Sequence, residues 1–388
     1  MSTQQADWAW LPEDMMGAIL KKLGLTDEYM RVSRVCTSWF SFVRDRTEFK
    51  ELLRKQAPLL VIPAINNRRN RRNLYNVIDG KTYDVQITLP YNRRCCGSSH
   101  GWLATVGRKM VITLTNPFSQ RRIRLPPIFN PPKGNITRDN PCLFYSWVHK
   151  VILSNDPDLS SEDCVVGAIY DHINRLAFIK LGDECWTYVD NNLNIFSDII
   201  FSNGLLHAID KRGKLISVDI SIDSYVTENE VEVIMPQCME GNPNMAYIVE
   251  SRGGDILMIR RFLVKQPDHE DLYLTGKIRV FKLQRNSSMR SKWIEIKNLN
   301  GETLFLGDNH STSLSSSSEI LALKPNCIYY TDDYFHDGHP HYKEDGPLDL
   351  GVFNMDDGSF EAHYVLDPSQ KQFPPAIFIM PSTLDNIP

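Results

Sequence analysis

Ser99-His100-Gly101-Trp102-Leu103-Ala104-Thr105-Val106, followed by a turn at Gly107-Arg108-Lys109 and a second apolar run from Met110 to Leu114, decides how this chain folds. The stretch predicts a strand, a tight turn and a second strand. The same pattern recurs at Ser202-Asn203-Gly204-Leu205-Leu206-His207-Ala208-Ile209, where a turn from Asp210 to Lys214 around Gly213 leads into Leu215 to Ile220. The copies lie about a hundred residues apart, or two periods of roughly 50, which is the length of one propeller blade. Further hairpins are expected where Ala246–Val249 turns at Gly253-Gly254 into Ile256–Ile259, where Ile278–Leu283 faces Trp293–Ile296, and where Val352–Asn354 turns at Asp357-Gly358 towards Phe360. At roughly 45–50 residues per blade, the region from Pro58 onward holds six or seven blades. A ring also explains how many short strands avoid open edges. Two stacked β domains are the alternative. The run Ser313 to Ser318 is expected to be a flexible loop.

The first fifty residues have a different period. Pro12, Glu13 and Asp14 suit a helix N-terminus. Met15, Met16, Ile19, Leu20 and Leu23 form one apolar stripe, and Lys21, Lys22 and Gly24 close it. Thr26 is an N-cap candidate for a second helix. Val32, Val35, Trp39, Phe42 and Val43 continue the helical spacing through a second and a third helix, and Phe49, Leu52 and Leu53 suggest a further turn. The fold expected is therefore mainly β with a small all-α N-terminal domain, divided into residues 7–56 and 57–388. A unit of roughly 40 residues without disulfides or metal is marginal alone. Its apolar surface needs either the β domain or another protein, and the central expectation is that it faces outward.

Composition narrows the classes. The chain has 388 residues and a formal net charge of −4, so its surface as a whole suits neither nucleic acid nor a polyacidic role. It lacks a run of 18 apolar residues and a basic-then-apolar leader, so neither a membrane span nor a secretory signal is expected. The eight cysteines are scattered without a CxxC, which predicts reduced thiols and no zinc knuckle. The tripeptides at Asn135, Asn286 and Asn309 match the glycosylation pattern but carry no meaning without export. A nuclear or cytoplasmic protein is expected.

The N-terminal residues resemble the F-box, the helical motif that binds a Skp-family adaptor in cullin-based ubiquitin ligases. Leu11-Pro12 with Asp14, then Ile19-Leu20 and Leu23, then Arg31, Val35-Cys36 and Trp39 carry the resemblance. It implies adaptor contact through Leu11, Pro12, Ile19, Leu20, Val35, Cys36 and Trp39, with Trp39 also suited to the interior. Gly24 stands where many members have proline, and Phe40 where many have arginine. The β region is similar to the KIB-like domain found behind plant F-boxes. SSHGWL (98–103), LTNPFSQRRIRLPP (114–127), SNGLLHAID (202–210), YIVES (247–251), WIEI (293–296), LFLGDNHS (304–311) and CIYYTDD (327–333) fall in the family's order. Together the resemblances imply the substrate-recognition subunit of a Skp–cullin–F-box ligase. It would bind the adaptor, through it the cullin and RING subunits, and a client protein, and would catalyse nothing itself. The other class is a propeller enzyme or ligand receptor with the helices as a cap, which predicts a deep central pocket.

Chemistry-bearing motifs are few. Arg68-Arg69-Asn70-Arg71-Arg72 lacks interleaved aromatics and is expected to be a solvated linker rather than a nuclear signal or a nucleic-acid patch. His336, His339 and His341 with nearby Asp332, Asp333 and Asp337 offer metal-ligand types, but in a Gly/Pro loop with no helix to orient them. Ser99 and His100 are adjacent, so on a strand they point apart. Arg121, Arg122 and Arg124 alternate with Ile123 and Leu125, as on an exposed strand face. Trp102, His207 and His310 are as suited to structure as to recognition. No P-loop, Rossmann fingerprint, HExxH or nucleophile elbow is present. No catalytic residue, cofactor or metal is assigned.

Overall fold

Strands that lie between two other sheets must be apolar on both faces, and the chain obeys this repeatedly. Val165–Tyr170 is buried at all six positions. Leu59 and Val61 enter one apolar core while Leu60 and Ile62, pointing the opposite way, enter another. The computed structural model describes residues 10–23, 28, 32, 35–44, 57–63, 71–89, 95–107, 109–129, 147–189, 195–220, 229–231, 233–234, 243–266, 269–285, 291–315, 323–333, 349–365 and 376–379, and the statements below concern these.

The described strands form six sheets arranged as the blades of a propeller. Blade 1 holds β1 (Leu59–Pro63), β2 (Arg71–Asn76) and β3 (Thr82–Thr88). Blade 2 holds β4 (Cys95–Ser99), β5 (Trp102–Val106), β6 (Val111–Thr115) and β7 (Arg122–Pro127). Blade 3 holds β8 (Val148–Leu153), β9 (Val165–Tyr170), β10 (Arg175–Lys180) and β11 (Thr187–Tyr188). Blade 4 holds β12 (Phe196–Ser202), β13 (Leu205–Asp210), β14 (Leu215–Asp219) and β15 (Asn229–Val231). Blade 5 holds β16 (Val233–Ile234), β17 (Met245–Glu250), β18 (Ile256–Gln266), β19 (His269–Gln284) and β20 (Ser291–Ile296). Blade 6 holds β21 (Glu302–Leu306), β22 (Thr312–Ser315), β23 (Cys327–Tyr330), β24 (Gly351–Asn354) and β25 (Phe360–Glu361). The last strand, β26 (Ile377–Ile379), returns to blade 1 and pairs antiparallel with β1, Leu59 opposite Ile379. That pairing closes the ring and leaves blade 1 built from both ends of the domain.

Each pair of neighbouring blades shares its own apolar core, six cores in all among the described residues. The innermost strands run parallel to one another. The Ser197 hydroxyl accepts from Ala246 N–H at 3.2 Å, and the Ser99 hydroxyl accepts from Leu153 N–H at 3.2 Å. The end of the ring where these strands begin, which also carries the second turn of blades 2 to 5, is called the upper face below.

The repeated Ser-x-Gly stretch differs from its expected form. His100 (φ 50°) and Gly101 (φ 78°), like Asn203 (φ 50°) and Gly204 (φ 75°), take left-handed conformations. Each pair is a two-residue hairpin turn of the primed type, whose twist matches the flanking strands. Ser99 therefore ends β4 and Trp102 begins β5. The repeated unit is three strands with two turns, and the two copies sit in blades 2 and 4.

Two further expectations are corrected. Ser313–Ser315 is not loop but most of β22, the innermost strand of blade 6, while residues 316–318 lie outside the described ones. Small side chains suit the crowded centre of the ring. A Cβ on Gly97, in the innermost strand of blade 2, would meet Val151 O at 1.9 Å. Arg71 and Arg72 are not linker either: they open β2, and Arg72 is buried. Arg68–Asn70 and the histidines at 336, 339 and 341 lie outside the described residues.

At the N-terminus, α1 (Glu13–Leu20) and α2 (Thr37–Arg44) are helical, with Pro12 one position before the first. Apart from Glu28 and Val32, the helix expected between them lies outside the described residues, as does the turn at 49–53. Leu20 and Val43 enter the core between blades 1 and 2, beside Leu59, Val61, Leu74 and Leu103. Leu23, Val32 and Phe42 pack around them half-buried. Burying a leucine side chain contributes about 1.5–3 kcal/mol, so these contacts hold the helices against the ring.

Buried histidines give this fold a pH limit. His207 (β13) is tied to the Ser217 hydroxyl at 2.7 Å, and the His363 Nε2–H donates to Tyr330 O at 3.0 Å. Burial pulls His207 down to about 4, helped by the charge of Arg285, and burial alone pulls His363 down to about 4. The unfolded chain takes up these protons near pH 6.5 and the folded chain does not. The stability they contribute is thus present above pH 6.5 and lost as the pH falls towards 4. Urea midpoints measured from pH 7 to 4 are expected to fall, by about 3 kcal/mol per histidine at full titration. The slope should be shallower in His363→Gln; an unchanged slope would contradict this account.

Candidate functional site

Two places concentrate unusual side chains: the N-terminal helices and the middle of the ring.

On the helices, the seven sequence-assigned residues divide by exposure. Pro12 and Val35 are exposed, Leu11, Ile19 and Cys36 are half-buried, and Leu20 and Trp39 are buried. The expectation that Leu20 faces outward is therefore corrected, because its position on α1 points it into the core between blades 1 and 2. Trp39 is internal, as a large aromatic in a small unit should be. Trp10, Met15 and Val35 are exposed large apolar residues at 81 %, 53 % and 58 %. The segment thus has an inner side that anchors it and an outer side rich in apolar surface.

In the ring centre, the loop between β21 and β22 bonds to the inner strands of several blades. Lys150 on β8 forms a buried ion pair with Asp198 on β12 and donates to Gly307 O at 3.1 Å and the Ser311 hydroxyl at 3.4 Å. Ser311 donates to Asp198 at 2.7 Å, and the N–H groups of Ile199 and Ile248 donate to the same carboxylate at 2.8 and 3.1 Å. His310 N–H reaches Ser98 O of blade 2 at 2.8 Å. One loop therefore joins blades 2, 3, 4 and 6, and Asp198 extends the network to blade 5. Gly307 has φ +147°, and a Cβ there would lie 2.0 Å from the Thr331 hydroxyl. The LGDNHS stretch is thus a plug tied into the inner strands of several blades, although the Asn309 Oδ1 within it is buried without a hydrogen-bond partner.

A second buried network joins blades 5 and 6. The Arg261 guanidinium is fully buried and donates to Asp333 at 3.0 Å, Asp349 at 2.6 Å, the Thr275 hydroxyl at 2.7 Å and Thr331 O at 2.9 Å. It also lies over the Tyr330 ring, 4.6 Å from the centroid. Burial, together with the charge of Asp349, pushes the neighbouring Asp332 up to about 6. Sequence reading passed over Lys150, Asp198 and Arg261. Their signal was present: each is a charge inside an otherwise apolar strand, in VHKVIL, FSDIIFS and ILMIRRFLV. Trp102, whose Nε1 donates to Asp156 at 2.9 Å, and His207 are structural. Among the described residues no group of His, Cys, Asp and Glu is placed to hold a metal.

The fold by itself, a six-bladed propeller with an N-terminal pair of docked helices, does not assign a function. Comparison with known proteins gives the family. Residues 74–354 match the KIB1-4 beta-propeller family and residues 8–51 match the F-box domain, so the chain belongs to the plant-type F-box proteins with a KIB1-4 propeller. It is 23 % identical to the F-box protein SKIP23 of Arabidopsis thaliana, with 95 % of this chain and 94 % of that one covered. It is 24 % identical to the F-box/kelch-repeat protein KIB1 of the same plant, with 84 % and 78 % covered. F-box domains generally bind Skp-type adaptors, and F-box proteins are generally non-catalytic adaptors themselves.

Proposed function

We propose that this chain is the substrate-recognition subunit of a Skp–cullin–F-box ubiquitin ligase, active in the nucleus, the cytoplasm or both. The N-terminal helices seat a Skp-family adaptor, and through it the cullin and RING subunits. The propeller holds a client protein so that ubiquitin transfer to it becomes effectively intramolecular, catalysis by proximity alone. The observation that carries this reading is the two-sided helical segment within the F-box match: Leu20 and Val43 anchor it, while Trp10, Met15 and Val35 stand outward.

The test uses the full chain co-expressed with a Skp-family adaptor. Met15→Asp and Val35→Asp change exposed positions and leave the ring intact, and each is expected to weaken adaptor capture about tenfold or more, a loss of ~1.4 kcal/mol. Leu11→Asp and Ile19→Asp should weaken it as well. Absence of capture by the intact chain, or capture indifferent to all four changes, sinks the reading.

A further inference from the structure

Away from the helices, three exposed large apolar side chains lie together on the upper face around blade 3. Ile173 (41 % exposed) lies in the turn between β9 and β10, Tyr188 (47 %) on β11, and Ile195 (57 %) just before β12. Phe196 N–H donates to Asn174 O at 3.1 Å, which places the chain at Ile173 and at Ile195 side by side. Next to them runs a row of touching rings. Tyr188 meets Tyr170 at 5.7 Å, Tyr170 meets Phe129 at 5.9 Å, Phe129 stacks on Trp147 at 5.2 Å, and Trp147 meets His172 edge-on at 5.9 Å. The Tyr188 hydroxyl donates to Ile128 O at 2.6 Å, which fixes one end of the row. Rigid aromatic side chains with a polar rim are what protein-binding hot spots are made of.

The charge around this patch is predominantly positive. Lys109 in blade 2, Arg175 in blade 3, and Lys211 and Arg212 in blade 4 are exposed in or beside the second turns of their blades. The carboxylates of the same turns are already engaged. Asp171 is buried and held by Arg175 and His172, and Asp210 is half-buried and accepts Lys214 N–H at 2.8 Å. Among the described residues the turns of blades 2 and 4 therefore carry Lys109, Lys211, Arg212 and Lys214 against the single carboxylate of Asp210, a net positive charge. The opposite end of blade 3 has the reverse sign, with Asp158, Glu162, Asp163, Asp183 and Glu184 exposed. The near-neutral total of the chain conceals this polarity.

We propose that the upper face of blades 2 to 4 is a docking surface for an acidic, extended segment of another protein that carries an apolar or aromatic anchor. The anchor would cover Ile173, Tyr188 and Ile195, and the acidic residues would face Lys211, Arg212 and Lys109. Complementary charge orients the approach and excludes basic segments, while the apolar contact supplies most of the residence time. The proposal rests on the recognition-subunit reading and names the chemistry of its client.

The test uses the full chain purified with its adaptor and fluorescein-labelled synthetic peptides. One probe consists of Asp and Glu around a single Phe. A second replaces the acids by Asn and Gln, and a third replaces Phe by Ser. Fluorescence anisotropy should show binding of the first that weakens with salt, and at least tenfold weaker binding of the other two. Lys211→Glu/Arg212→Glu and, separately, Ile173→Asp should each cost about tenfold. No binding of the first peptide overturns the proposal, as does equal binding of its uncharged or Phe-less counterpart, or indifference to both variants. Adaptor co-elution in the same samples keeps the two readings apart. Retained adaptor without peptide binding removes this docking face alone, and peptide binding without adaptor removes the ligase reading alone.

Discussion

Lys150→Met is expected to destabilise the folded protein by about 3–5 kcal/mol, because it leaves the Asp198 carboxylate buried without a cation. Asp198 is wholly enclosed, and its remaining partners, Ser311 and two backbone N–H groups, are neutral donors. Lys150 also holds the plug through Gly307 O. Its loss therefore acts on several blades at once, and unfolding should stay cooperative with an earlier urea midpoint. Adding Asp198→Asn to Lys150→Met removes the stranded charge and should recover part of the loss, which separates the charge effect from packing. A midpoint shift equivalent to less than about 1 kcal/mol in the single variant would show that solvent reaches the channel and screens the carboxylate.

Arg261→Met is expected to be at least as damaging, again about 3–5 kcal/mol, since two carboxylates rather than one lose their counter-ion. Asp333 and Asp349 flank residues 334–348, and one guanidinium holds both ends of that segment. Arg261→Lys keeps a charge but not the planar fork, so it should rescue only partly. A midpoint shift in Arg261→Met equivalent to less than about 1 kcal/mol, or full rescue by Arg261→Lys, would contradict this account.

How far these features were legible in the residues alone varies with the range of the interaction. The Ser-x-Gly repeats at 99–102 and 202–205 disclosed blade periodicity because a two-residue primed turn restricts sequence locally. Their reading as continuous strand failed at His100 and Asn203, non-glycine residues that adopt positive φ inside the turn. The Ser-rich stretch at 313–315 looked like linker because its composition is weak in β propensity. It is a strand because the ring centre demands small side chains, a requirement set by neighbouring blades and not by the segment. Leu20 shows the same limit for the candidate site. Helical spacing placed it with Ile19 on an apolar stripe, yet that stripe is wide enough to meet two different surfaces. Only the seat beside Leu59 and Leu103 assigns Leu20 to the ring.

By itself, then, the order of residues determined the two-part make-up of the chain, the hairpin repeat and the helical period at the N-terminus, since turn chemistry and apolar spacing act over a few residues. Tertiary structure alone decided the count of six, the closure of Leu59 against Ile379, the plug at the ring centre and the side of the helices that remains open. Each of these depends on groups far apart in sequence whose burial exists only once the ring has closed.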